Sequence, residues 1–231
     1  MNADQAVSKK AGMQRGDTYA TRLKIDYPGE LDRGSTLLRL IFIIPIAIIL
    51  SLVSGSGETV VNTIYLNDAM EVIRKTSETT GGLAASLPLA IALMILVRQR
   101  YPRWWFDFLR ELTRFSARVC TYGLLMTDKY PSTEDTQSVH LEIDYPEVET
   151  DLQRWMPLVK WFLAIPHYIV LAVLSVAVVF SAIFAWFAIL VTGKYPKDLF
   201  DFNAGVLRWG LRVNAYAFLL VTDDYPPFSL R

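Results

Sequence analysis

His167 is the residue whose type and place most invite chemistry: an imidazole beside Pro166, within the long apolar run from Trp161 to Thr192. An ionisable group inside such a run is a candidate site by default. A plainer reading competes, in which the ring donates to a backbone carbonyl freed by Pro166, or to Ser175 or Ser181, and the sequence favours it. Neither a second histidine nor a carboxylate lies within the apolar runs to complete a haem, metal or proton-relay set, so no cofactor, metal ligand set or catalytic residue is expected. Only copies from several chains could assemble a His167 site. The second set is cationic. Arg39 and Lys160 each stand six residues before a proline, Pro45 and Pro166, while Arg114/Arg118 and Arg208/Arg212 are i, i+4 pairs. Cations at a membrane surface attract anionic lipid headgroups, at about 1 kcal/mol each. Snorkelling, topology setting, or ion pairing with Asp128, Asp223 and Asp224 would account for them equally well. Pro45 and Pro166 are expected to kink their helices, since each removes a donor and clashes with the preceding turn.

The elements that must position these residues follow from composition. The chain has 231 residues, 52% hydrophobic and 13% aromatic, with 23 basic and 23 acidic side chains and formal charge zero. Balanced charge argues against nucleic acid as a partner. The apolar residues gather in three blocks, Leu37 to Ser54, Leu83 to Val97 and Trp161 to Thr192, as an integral membrane protein requires and a soluble core does not. The single Cys120 implies no disulfide, and the polar first 36 residues do not read as a signal peptide.

The chain also repeats itself. Six of the 11 prolines follow tyrosines, at Tyr27, Tyr101, Tyr130, Tyr145, Tyr195 and Tyr225, three in each half. Leu-Lys-Ile-Asp-Tyr-Pro at Leu23 answers Leu-Glu-Ile-Asp-Tyr-Pro at Leu141, and Phe106-Asp107-Phe108 answers Phe200-Asp201-Phe202. Leu-Leu-Met-Thr-Asp-Lys-Tyr-Pro from Leu124 answers Leu-Leu-Val-Thr-Asp-Asp-Tyr-Pro from Leu219. Two tandem repeats follow: a polar tail 1–19, repeat 1 at 20–131, a linker at 132–138 and repeat 2 at 139–231. Residues 55–82, rich in Gly, Ser and Thr, interrupt only the first.

Repeat 1 therefore predicts membrane helices near 37–54 and 83–99 around an outward-facing insertion, and by analogy repeat 2 predicts helices near 153–174 and 176–192. One helix over the 32 residues from Trp161 to Thr192 would be roughly 48 Å long against a hydrocarbon core of about 30 Å, so a hairpin turning at Ser175 to Ser181 fits better than one tilted helix. The insertion holds only Arg74 and Lys75 of the basic residues, which places both termini and the linker in the cytoplasm. Apolar residues spaced by three and four predict amphipathic helices near 103–126 (Trp105, Phe108, Leu112, Phe115, Val119, Tyr122) and 197–221 (Leu199, Phe202, Val206, Trp209, Val213, Tyr216, Leu220). Following membrane helices, they are expected along the headgroup layer rather than packed as a cytosolic bundle. Arg22 to Asp26 and Val139 to Asp144 alternate as short strands able to pair across the repeats. Val60, Val61, Ile64, Met70 and Ile73 permit a short amphipathic helix in the insertion.

The strings Ile-Asp-Tyr-Pro, Trp161-Phe162-Leu163-Ala164-Ile165-Pro166-His167-Tyr168, Thr192-Gly193-Lys194-Tyr195-Pro196 and Leu220-Val221-Thr222-Asp223-Asp224-Tyr225-Pro226-Pro227-Phe228 resemble the bacterial membrane family catalogued as domain of unknown function 4389. The resemblance is closest in the second repeat; in the first, Ile46 replaces the histidine. It implies a multi-pass protein of the bacterial inner membrane and brings no catalytic residue, cofactor or substrate. The fold class expected is all-α integral membrane with minor β. The function expected is a non-catalytic scaffold or accessory subunit in contact with lipid and with protein partners or further copies of itself. A lipid- or small-solute-handling protein is the alternative, ahead of a His167-dependent redox or metal site. An enzyme is not expected.

Overall fold

The computed structural model describes residues 19–54, 59–66, 72–79, 83–133, 137–148 and 152–231. The polar tail, the centre of the linker and the tip of the insertion lie outside the described residues. In chain order the elements are β1 (Thr21–Ile25), α1 (Arg33–Ser54), β2 (Thr59–Leu66), β3 (Val72–Thr79), α2 (Leu83–Arg98), α3 (Arg103–Gly123), β4 (Val139–Ile143), α4 (Met156–Leu163), α5 (Ile165–Thr192) and α6 (Lys197–Asn214), with a π-helical turn at Ala215–Leu219. The molecule is mostly helical.

Strand β1 pairs antiparallel with β4, and Leu23 sits opposite Leu141. Alternation explains the ribbon: Leu23, Val139, Leu141 and Ile143 are buried on one face, while Lys24, His140 and Glu142 face out. The buried face lies on α3 and α6, since β4 contacts α3 and β1 contacts α6. Beyond these helices lies a third layer, in which α1 packs on α3 and α5 packs on α6. Ribbon, amphipathic helices and apolar helices thus stack in that order.

Within the third layer α5 runs unbroken for 28 residues. The turn expected at Ser175 to Ser181 is absent, and the hairpin with helices at 153–174 and 176–192 is not formed. The physical reason is local: Ile165 to Thr192 contains no Gly or Asn, its only proline stands at the start, and its aliphatic run favours propagation. The helix ends at Gly193, which takes the left-handed conformation (φ 74°) of a C-terminal stop. Residues along one stripe of α5 meet α6 in reverse order. Ala164 and His167 lie by Trp209, Val213 and Tyr216, and Ala185 and Ile189 lie by Phe200 and Ala204. The helices therefore run side by side, antiparallel.

Helices α3 and α6 depart from expectation as well. Their apolar faces are inside the protein rather than on a headgroup layer. The buried residues of α3 include Phe106, Leu109, Phe115, Val119 and Tyr122, while Phe108, which its spacing puts on the apolar face, is 43% exposed. Ribbon and apolar layer cover most of these faces, and Trp104 and Phe108 stay exposed near the start of α3. In the insertion β2 and β3 form a hairpin pairing Thr59 with Thr79 and Leu66 with Val72, in place of a helix. Its β-branched residues, among them Val60, Val61, Thr63 and Ile64, favour extended backbone.

The prolines act differently from each other. Helix α1 bends by 52° between Arg39 and Ile41, about a turn ahead of Pro45, where the ring crowds the carbonyl of the fourth residue back. Pro166 stands in the first turn of α5, after a break at Ala164, where a missing donor costs little. Taken together, α4 and α5 (Met156–Thr192, 37 residues, mean hydropathy 2.7) form the one helix among the described residues long and apolar enough to cross a membrane, joined by α1 only if its two bent segments count as one span.

Candidate functional site

The cations lead directly to paired sites. Arg39 is 2% exposed; it donates to the carbonyl of Thr127 (2.9 Å), pairs with Asp128 and lies 4.7 Å over the ring of Tyr122. Lys160 is fully buried; it donates to the carbonyl of Thr222 (2.7 Å), stands 2.7 Å from Asp223 and lies 5.2 Å over the ring of Tyr216. Each cation pins the start of an apolar helix to the Thr-Asp loop that follows an amphipathic helix. The same aspartates reach back to the residue seven places before each cation, accepting from the backbone of Asp32 (2.8 Å) and of Gln153 (2.6 Å). Both loops begin with a leucine in the left-handed region, Leu125 (φ 64°) and Leu220 (φ 56°). A β-carbon makes that conformation costly, and the buried ion pair behind each loop helps hold it.

The tyrosines of the Tyr-Pro pairs join the halves. Tyr145 donates to the carbonyl of Tyr101 (2.6 Å), and Tyr27 donates to that of Tyr195. Tyr101 in turn donates to Leu219 (3.0 Å) and Tyr195 to Leu124 (3.2 Å). Around them Phe106 meets Tyr145 edge-on at 5.1 Å, and Phe200 meets Tyr27 at 5.0 Å. Burial pushes the phenol of Tyr101 up strongly and that of Tyr195 up to about 12.

The i, i+4 arginines also point inward. Arg114 donates to the carbonyl of Leu141 (2.9 Å) and Arg208 to that of Leu23 (3.3 Å), so each helix grips the opposite repeat's strand. Arg118 donates to Ser132, and Arg212 to Ser229 and Arg231. Burial, and then the nearby charge of Arg208, hold the Arg212 guanidinium below its usual value. Each of the six cations thus has a hydrogen-bond partner within the protein.

His167 breaks the pairing. Its Nδ1 accepts from Trp209 Nε1 (3.1 Å), which puts the neutral ring's hydrogen on Nε2. The ring stacks on Phe228 at 4.0 Å and lies 4.8 Å from Tyr225. Nε2 is buried, without a hydrogen-bond partner among the described residues. The donation to Ser175 or Ser181 expected from sequence does not occur, because Trp209 takes the one nitrogen the packing brings within reach. In the first repeat the same positions are apolar: Ile46 is buried against Phe115 and Val119.

A family model described as Domain of unknown function (DUF4389) matches residues 154–229. That stretch holds Lys160, His167, Trp209, Arg208, Arg212 and Asp223. The match is a single copy where two in tandem were expected, and residues 1–153 lie outside it. No curated protein and no solved structure matches the chain.

Two features lay beyond sequence reasoning. One is Trp209 as the partner of His167; its signal was there, since both residues replace apolar ones at equivalent places of the repeat. The other is an open cleft of about 660 Å³ at the end of α2, with Met94, Tyr101, Tyr145 and Val148 among its lining residues beside the charged Arg98, Arg100 and Glu147. Arg103 lies 4.8 Å over the Tyr145 ring nearby. Among the described residues no group of three or more His, Cys, Asp or Glu could hold a metal ion.

Proposed function

We propose that the protein is a non-catalytic, membrane-embedded scaffold or accessory subunit of the bacterial cytoplasmic membrane, with termini and linker on the cytoplasmic side, built from two copies of one unit about a pseudo-two-fold axis. One observation carries the reading: the cations that sequence offers for recognition are engaged inside the fold, whereas the large surface left over is apolar. A surface of that kind is for contact with lipid or protein. The duplication is supported by the mated contacts, of which Arg39–Asp128 with Lys160–Asp223 is the clearest. Purification in mild detergent with measurement of the mass of the intact particle tests the scaffold reading. Co-purifying protein or an oligomer is expected, and a monodisperse monomer carrying no other protein would count against it.

The cleft favours a second reading, the handling of anionic lipid. Its apolar lining and its two arginines, against the single carboxylate of Glu147, suit an amphiphile with a phosphate head. Replacing Arg98 and Arg100 by glutamine is expected to weaken retention of a labelled anionic phospholipid; retention equal to the parent's would remove the reading.

A further inference from the structure

We propose that the apolar layer lies flat in one leaflet, its helices parallel to the membrane plane, and does not cross the bilayer. The inference rests on the membrane reading above and concerns how the molecule sits.

Three observations carry it. The first is length and tethering. Met156–Thr192 is 37 residues, about 55 Å as helix, nearly twice the ~30 Å hydrocarbon core. Both of its ends nonetheless tie back to loops that follow the amphipathic helices. Lys160 is fixed to Thr222 and Asp223 at one end. At the other, the carbonyl of Gly193 accepts from Leu31 and the hydroxyl of Tyr195 reaches Leu124. A helix that crossed would deliver its ends to opposite sides.

The second is what runs beside it. Helix α6 accompanies α5 in reverse direction and carries exposed Asp198 and Asp201 as well as Arg208. Behind α6 stands the ribbon with Arg22, Lys24, Asp26, Glu142 and Asp144. Drawing α5 through the core would draw these charges with it, and a charged side chain at the bilayer centre is costly. Lying flat, a helix about 10 Å across fits within one leaflet and leaves the ribbon in water.

The third is the disposition of exposed groups. One long face of α5 is open and wholly apolar, through Ile169, Val173, Val176, Phe180, Phe184 and Phe187, and α1 continues the surface with Ile41, Ile48 and Leu52. At the helix ends, where the headgroup level would fall, stand exposed Trp104 and Trp155 with Arg98, Arg100, Arg154 and Lys194. Tryptophan and arginine are the residues that favour that depth. The chemistry of the whole face matches acyl chains rimmed by phosphates.

The test uses the full chain with Cys120 replaced by alanine. Single cysteines are introduced as T133C at the start of the linker, S77C in the insertion and V179C midway along α5. The first two are probed with a membrane-impermeant maleimide in intact cells and in inverted membrane vesicles. Both are expected to label only in inverted vesicles; S77C labelling from the opposite side to T133C would overturn the proposal. The third is coupled to an environment-sensitive fluorophore and quenched by spin labels held either near the headgroup or near the chain end. Stronger quenching by the shallow label is expected. Stronger quenching by the deep label, or reaction with an impermeant reagent from the side opposite T133C, would mean a crossing and overturn it. Release of the unmodified protein from membranes by alkaline carbonate would instead defeat the membrane reading, and this proposal with it.

Discussion

A buried charge declares its importance through its partner. Lys160 has no exposed surface, so removing either member of its pair leaves the other poorly solvated. Lys160→Met is expected to destabilise the protein by about 3 kcal/mol, and adding Asp223→Asn to recover much of the loss. Thermal unfolding in detergent as a double-mutant cycle checks this, and an unchanged midpoint for the single variant would show the pair to be idle. His167 gives a second case. His167→Ile copies the first repeat's Ile46 but orphans the indole of Trp209, a loss of about 1–3 kcal/mol. His167→Ile with Trp209→Phe reproduces the Ile46 and Phe115 packing and is expected to recover most of it; equal losses in the single and double variants would refute the coupling. Sequence made the cations visible, along with the aspartates able to neutralise them. It left open whether they faced lipid or one another, because that depends on which side of a helix a neighbour covers.

At the level of elements, contact between segments distant in sequence decided most departures from expectation. The amphipathic period of α3 and α6 was legible, but not that ribbon and apolar helices would cover both sides. For α5, analogy with the interrupted first repeat suggested a turn where the local sequence has no residue to make one. Helix α6 also holds the final segment. A β-carbon on Gly205 would stand 2.7 Å from the carbonyl oxygen of Leu230, a backbone atom with little room to move. Gly205→Ala is therefore expected to loosen residues 225–231, read as faster hydrogen exchange there, at a cost of about 1–3 kcal/mol; protection equal to the parent's would show that the segment yields freely. The tyrosine links between elements predict an alkaline limit. The phenol of Tyr195 is raised from near 10 to about 12, so the folded state holds its proton more tightly than the unfolded one. The associated stability is intact below pH 10 and declines between pH 10 and 12 by about 1.4 kcal/mol per pH unit. Tyrosinate absorbance should thus rise in step with unfolding, and full ionisation in a still folded protein would contradict this.

Over the whole molecule, the two halves are joined by exchange. The ribbon takes one strand from each half, Arg208 grips the strand of the other half, and Tyr101 and Tyr195 close loops across the boundary. Neither half holds a complete set of partners. A fragment of residues 138–231 is expected to stay unfolded as a monomer and to fold on mixing with residues 1–137, or by pairing with a second copy of itself. Circular dichroism with sedimentation checks this, and a folded monomeric fragment would refute it.

The placing of Leu23 opposite Leu141 bears on how the halves have drifted apart. On the proposed duplication the axis passes between these residues, so a side chain there has its own counterpart for a neighbour. A change in one copy is felt at once by the other, and Leu-x-Ile-Asp-Tyr-Pro stands nearly unaltered in both. Farther from the axis a position and its counterpart do not touch, and each is free to diverge. There Ile46 became His167, or the reverse, and there one copy tolerated a hairpin that the other lacks. The chain thus divides into a shared part, the ribbon and the Thr-Asp-x-Tyr-Pro loops that make the molecule, and an individual part around His167 and the hairpin, where specialisation has had room to begin.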